Sequence, residues 1–118
     1  MPFAERQFIH MKEILSGMSV SPGAVKSTAR VIYDMDDLEK VKDGEILVLP
    51  NSDPIYAIYV MRAAGTICEN GGRLSHLCIV SLEMGIPCIT NVPRARELIK
   101  DGEVIFLDST EGKVYRND

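Results

Sequence analysis

The sequence has no surplus of basic charge. Its 13 Lys and Arg stand against 17 Asp and Glu, giving a net charge of −4 and a pI near 5.2 over 118 residues. That balance leaves no cationic footprint for nucleic acid or an anionic membrane. Arg73 and Glu83 interrupt the longest uncharged stretch near the middle, so no apolar run is long enough to span a bilayer, and no secretory leader is readable. Cysteine is scarce. Cys68, Cys78 and Cys88 are odd in number, at spacings that fit neither a zinc knuckle nor a disulfide framework, so buried reduced thiols of a cytoplasmic protein are expected. A Gly-rich P-loop, carboxylates spaced for a metal, internal repeats, low-complexity tracts and linkers are all missing from the sequence. What remains is ordinary globular usage, 46% hydrophobic and 25% charged, with enough length for one domain around a single core.

The hydrophobic periodicity switches repeatedly between helix and strand. Phe8, Met11, Ile14 and Leu15 fall at helical spacing, which predicts an N-terminal helix over residues 1–16, stopped by Ser16-Gly17. Val20-Ser21 reads as extended before Pro22, and Thr28 to Tyr33 as a strand. Asp34 to Val41 predicts one or two helical turns with Met35, Leu38 and Val41 inward. Ile46 to Leu49 is the unbroken apolar run of a strand covered on both faces. Asp53 as cap and Pro54 at the first position open a helix through Arg62. Thr66 to Cys68, Ile86 to Thr90, Val104 to Leu107 and Lys113 to Tyr115 read as strands, with a short helix over Pro93 to Ile99. The segment from Ser75 to Met84 is apolar nearly all round, which predicts a largely buried helix ended by Gly85.

Of the two histidines, His10 sits beside Arg6 and Glu13 on the expected first helix and is assigned no role. His76 is different. It follows Gly71-Gly72-Arg73-Leu74-Ser75, where a glycine loop becomes a helix. The glycines permit backbone conformations and close approaches that a β-carbon would forbid. Ser75 is placed to cap the helix and His76 falls in its first turn, where free N–H groups and the helix dipole favour an anion on the imidazole and a neutral ring before it.

Gly71-Gly72-Arg73-Leu74-Ser75-His76, then Ile79-Val80 and Glu83-Met84-Gly85-Ile86-Pro87, resembles the phosphohistidine segment of the phosphoenolpyruvate-utilising enzymes: phosphoenolpyruvate synthase, pyruvate phosphate dikinase and the first enzyme of the bacterial sugar phosphotransferase system. The resemblance continues in order through Ser21-Pro22-Gly23, Asp43-Gly44-Glu45-Ile46-Leu47-Val48-Leu49, Asp53-Pro54, Asp101-Gly102 and Gly112-Lys113-Val114. It implies an α/β chain folded as a single swivelling β/β/α phosphohistidine domain over residues 17–118. In that family the histidine takes a phosphoryl group at one active site and swings to a second, where pyruvate and phosphoenolpyruvate exchange it.

Carried over residue by residue, the resemblance implies His76 as nucleophile and carrier, with Gly72, Arg73 and Ser75 binding phosphate and no metal ligand on this chain. Magnesium, with ATP or phosphoenolpyruvate, is expected on partner chains or domains that act in trans. Two positions depart from the family pattern. Leu74 stands where a threonine is usual, and Ser81-Leu82 where an Ala-Arg pair is usual. These departures raise a second expectation, a noncatalytic binding or regulatory module that keeps the swivelling fold.

Overall fold

The computed structural model describes residues 11–117. The strands are β1 (Met11–Ser16), β2 (Met18–Ser21), β3 (Ala24–Val31), β4 (Ile46–Leu49), β5 (Gly65–Cys68), β6 (Cys88–Thr90), β7 (Val104–Asp108) and β8 (Lys113–Asn117). They are ordered β1-β8-β7-β3-β4-β5-β6-β2. The long strand β3 belongs to two ladders: Ala24 to Thr28 pair antiparallel with β7, and Ala29 to Val31 pair parallel with β4. The sheet therefore folds over along β3 into two layers. At its far ends β1 and β2 are neighbouring stretches of chain divided by Gly17, whose N–H donates to the Gly112 carbonyl at 2.8 Å. A β-carbon on Gly17 would collide with Val92 and the Thr90 carbonyl, so the corner requires glycine.

The unbroken apolar run of β4 is explained by what covers it. Ile46 and Val48 join Val31, Ile67, Ile89, Ile105, Leu107 and Val114 in a core between the two β layers. Leu47 and Leu49 point the other way, into a second core with Cys68, Tyr56, Val60, Leu77 and Ile86 under the helices. Period-two alternation on a strand covered on both sides gives this pattern. The helices are α1 (Ala57–Val60), entered through a 3-10 turn over Pro54–Tyr56; α2 (His76–Met84); and α3 (Ala95–Leu98). Asp53 caps the first of these segments by accepting from the Ile55 N–H at 2.9 Å. The layers are β, β and α.

Several expectations need correction. Met11–Ser16 is a strand paired with β8, not the end of a helix, so a domain boundary at residue 17 would cut through the sheet. The register of that ladder shifts between Glu13 and Leu15, and the bulge lets both Ile14 and Leu15 pack on the core, imitating helical spacing. The rest of the expected N-terminal helix, and His10, lie outside the described residues. The Asp34 capping box forms as a 3-10 turn over Met35–Lys40 with Leu38 inward, but Met35 is exposed. Helix α2 is only half-buried: Leu77, Cys78 and Ser81 face the sheet, whereas Ile79, Leu82 and Met84 face outward.

Candidate functional site

Parallel strands β4, β5 and β6 all end at one edge of the sheet, the edge from which α/β folds present their loops. β4 runs into Pro50–Asp53, β5 into the glycine loop, and β6 into Asn91–Pro93. The loop after β5 turns through a 3.0 Å hydrogen bond from the Ser75 N–H to the Gly72 carbonyl. Ser75 then takes the extended N-cap conformation (φ −66°, ψ 154°), and the Ile79 N–H donates to its carbonyl to open α2. His76 is the first helical residue and its side chain is exposed.

The four predicted site residues come together on this loop, but their roles differ in detail. Ser75 makes no side-chain cap; its Oγ is buried and has no hydrogen-bond partner among the described residues. The first-turn N–H groups are thus left without a Ser75 cap and are open to an anion. Gly71 is held at φ +152°, and a β-carbon there would lie 2.5 Å from Ser52 Oγ. Gly72 is open, with no neighbour near such a carbon and no positive φ, so its glycine is not conformationally required. Gly71→Ala should cost about 2 kcal/mol, a Tm decrease of roughly 8 °C. Gly72→Ala should stay within about 0.5 kcal/mol. Thermal unfolding of the two variants side by side checks this.

Arg73 is exposed, and its Nε donates to Met18 Sδ at 2.9 Å. Among the described residues no carboxylate lies within ion-pair distance of it. Among the described residues its charge is therefore uncompensated. Leu74 is 87% exposed and is not a packing residue. With Ile58, Met61 and Leu82 it gives the helix layer an exposed apolar character. An open cleft at the same sheet edge is lined by Tyr33, Glu69, Arg94, Arg96 and Glu97, away from His76. Its arginines are paired, Arg96 with Glu69 at 2.8 Å and Arg94 with Glu97 at 3.1 Å.

Beneath the loop, all three cysteines are free and buried, as the sequence predicts. Contact with Cys68 pushes the Cys88 thiol up to about 12, and contact with Cys88, then burial, pushes Cys78 up as well. Such thiols stay protonated and inert. Two residues that hold the loop are not picked out by its sequence motif: Ser52, against Gly71, and the buried Thr90, whose hydroxyl donates to the Gly71 carbonyl at 3.0 Å. A lone hydroxyl at the end of the apolar strand Cys88–Thr90 is the signal that could have marked the second.

A sequence model described as the PEP-utilising enzyme, mobile domain, matches residues 41–112, the stretch from before β4 to the turn before β8. The chain belongs to this family. Phosphoenolpyruvate synthase of Pyrococcus furiosus is 40% identical over 103 residues, covering 87% of this chain and 13% of that protein. Rifampicin phosphotransferase of Bacillus cereus is 37% identical over 102 residues, covering 86% of this chain and 12% of that protein. This mobile domain thus spans about one eighth of the length of these relatives. Among solved structures, an Enzyme I protein (nEIt) matches with TM-score 0.58 and 21% identity over 69% of this chain and 34% of that one. Aconitase X of Thermococcus kodakaraensis matches with TM-score 0.65 and 15% identity over 85% of this chain and 95% of that one. At those identities the structural likeness shows the fold alone.

Proposed function

We propose that this mobile domain is a phosphohistidine carrier in which His76 relays a phosphoryl group between a nucleotide site and a phosphoenolpyruvate/pyruvate site on other domains or chains. The observation that carries the reading is the exposed imidazole at an uncapped helix N-terminus, behind a Gly-Gly-Arg loop, within the family's matched region. A neutral ring nitrogen attacks phosphorus in line, the nucleotide or pyruvate oxygen leaves, and the developing charge falls on the equatorial oxygens. Gly72 and the first turn of α2, which Ser75 opens, offer backbone N–H groups to those oxygens, and Arg73 offers a guanidinium that no carboxylate among the described residues claims. The exposed apolar side chains of Leu74, Ile58 and Leu82 supply a surface on which a partner domain excludes water during transfer. Magnesium with ATP or phosphoenolpyruvate is assigned to the partners. No helix among the described residues is long and apolar enough to cross a membrane.

Leu74 favours a second reading, a noncatalytic module, because it offers no hydroxyl to a phosphoryl oxygen. The two are separated by incubating the domain with a phosphoenolpyruvate synthase whose own mobile domain has been removed, together with phosphoenolpyruvate or ATP and magnesium. A carrier acquires an acid-labile, base-stable phosphoryl group; a module acquires none. Leu74→Thr is expected to raise the labelling rate or the phosphohistidine lifetime by on the order of tenfold, the equivalent of one charge-assisted hydrogen bond. Because Leu74 faces solvent, the same variant should leave Tm unchanged.

A further inference from the structure

The loop that bears His76 is held at two points by one rung of the β2–β6 ladder. Met18 and Thr90 are register partners in that antiparallel pair, at the end of the sheet next to the loop. Thr90 is fully buried and its Oγ1 donates to the Gly71 carbonyl at 3.0 Å. Met18, across the rung, accepts from Arg73 Nε at 2.9 Å. The contacts bracket Gly72, and the Ser75 N–H then closes the turn onto Gly72. Ser52 stands against Gly71 from the β4 side and blocks retreat of the loop in that direction.

We propose that Met18 and Thr90 are positioning residues for the phosphoryl site, fixing the height of the glycine loop above the sheet and the direction of the Arg73 guanidinium. The proposal rests on the carrier reading for its kinetic part, but not for its structural part. A thioether is an acceptor without charge. It orients Arg73 through one N–H and leaves the positive charge and the remaining donors for the phosphoryl oxygens, which a carboxylate partner would neutralise. Thr90 does the corresponding work on the backbone: with Gly71 tethered, the N–H groups that follow keep one arrangement and need not reorganise as charge develops.

The test compares Thr90→Val, Thr90→Ser and Met18→Leu with wild type. Valine keeps the shape of threonine and loses the donor; serine restores it. Amide hydrogen exchange at Ser75, read by NMR without any partner, is expected to accelerate about five- to tenfold in Thr90→Val and to return close to wild type in Thr90→Ser, the loss corresponding to one hydrogen bond. At saturating phosphoenolpyruvate synthase lacking its mobile domain, the labelling rate should fall by about the same factor in Thr90→Val and in Met18→Leu, with Thr90→Ser rescued and every variant folded at the assay temperature, its Tm lower by no more than about 6 °C. Unchanged exchange at Ser75 in Thr90→Val overturns the proposal whether or not the domain is labelled. Accelerated exchange with unchanged labelling of both variants also overturns it, since the rung would then hold the loop without serving transfer. Absence of label on the wild type, by contrast, counts against the carrier reading, and the exchange result alone then decides whether the rung positions the loop.

Discussion

His76→Ala is expected to abolish phosphoryl labelling completely while leaving the fold intact. The imidazole is exposed at the first residue of α2 and makes no hydrogen bond among the described residues that holds up the structure. Alanine is also a better helix former than histidine, so the substitution costs the helix nothing. The Tm should therefore move by less than about 2 °C, and amide spectra should change only near the loop. A nucleophile cannot be replaced by its neighbours, because in-line attack needs a ring nitrogen at the helix N-terminus, and the nearby thiols are buried, protonated and turned toward the sheet. Retention of label in His76→Ala at the wild-type level would remove the assignment.

The largest stability effect is expected at the opposite end of the sheet, from Glu45→Ala. Glu45 precedes β4 and is buried, with its carboxylate gripping Arg30 through Nε at 3.2 Å and Nη2 at 2.7 Å, and accepting the Lys42 N–H at 2.7 Å. Arg30 reaches Asp101 at 3.1 Å with its remaining nitrogen, and Asp101 accepts the Val31 N–H. This network ties β3, β4 and the turn before β7 together. Removing the carboxylate strands a half-buried guanidinium and a backbone donor, at a cost of about 3 kcal/mol. That corresponds to a Tm decrease of roughly 12 °C. The pH dependence has a definite sign. Burial pushes the Glu45 carboxyl up, but the hydrogen bonds and charge of Arg30 and the Lys42 N–H outweigh it and hold the carboxyl below its ordinary value. The stabilisation is thus present above the ordinary carboxylate range and is lost as pH falls through the lower folded-state value. Chemical denaturation from neutral to acid pH should show the gap between wild type and Glu45→Ala closing on the acid side. A constant gap would assign the effect to packing.

Much of this architecture is legible in the sequence where local pattern and tertiary role agree. Ile46–Leu49 is apolar at every position because two cores cover it, and Asp53-Pro54 and Gly85 begin and end helices by their own backbone chemistry. The reading fails where tertiary context sets the meaning of a pattern. A bulge in β1 gives Ile14 and Leu15 a helical spacing that the strand does not have. An apolar helix surface reads as buried, yet Ile79 and Leu82 are turned to solvent because only one side of α2 meets the sheet. At the site, the motif from Gly71 to His76 identifies the loop but not its supports. Ser52, Thr90 and Met18 reach it from three other strands or loops, and no spacing along the chain records that convergence. The Ser75 cap is likewise predicted by residue type, whereas the observed side chain turns inward.

The central claim is a phosphorus–nitrogen bond on one residue, and phosphorus NMR of the domain with its histidine ring nitrogens labelled tests it most directly. After incubation with phosphoenolpyruvate, magnesium and a phosphoenolpyruvate synthase lacking its own mobile domain, a phosphoramidate signal coupled to a ring nitrogen of His76 is predicted. An uncoupled phosphorus signal or a phosphoryl group on another residue would contradict the account, as would an unmodified His76 under conditions in which the synthase phosphorylates its own detached mobile domain.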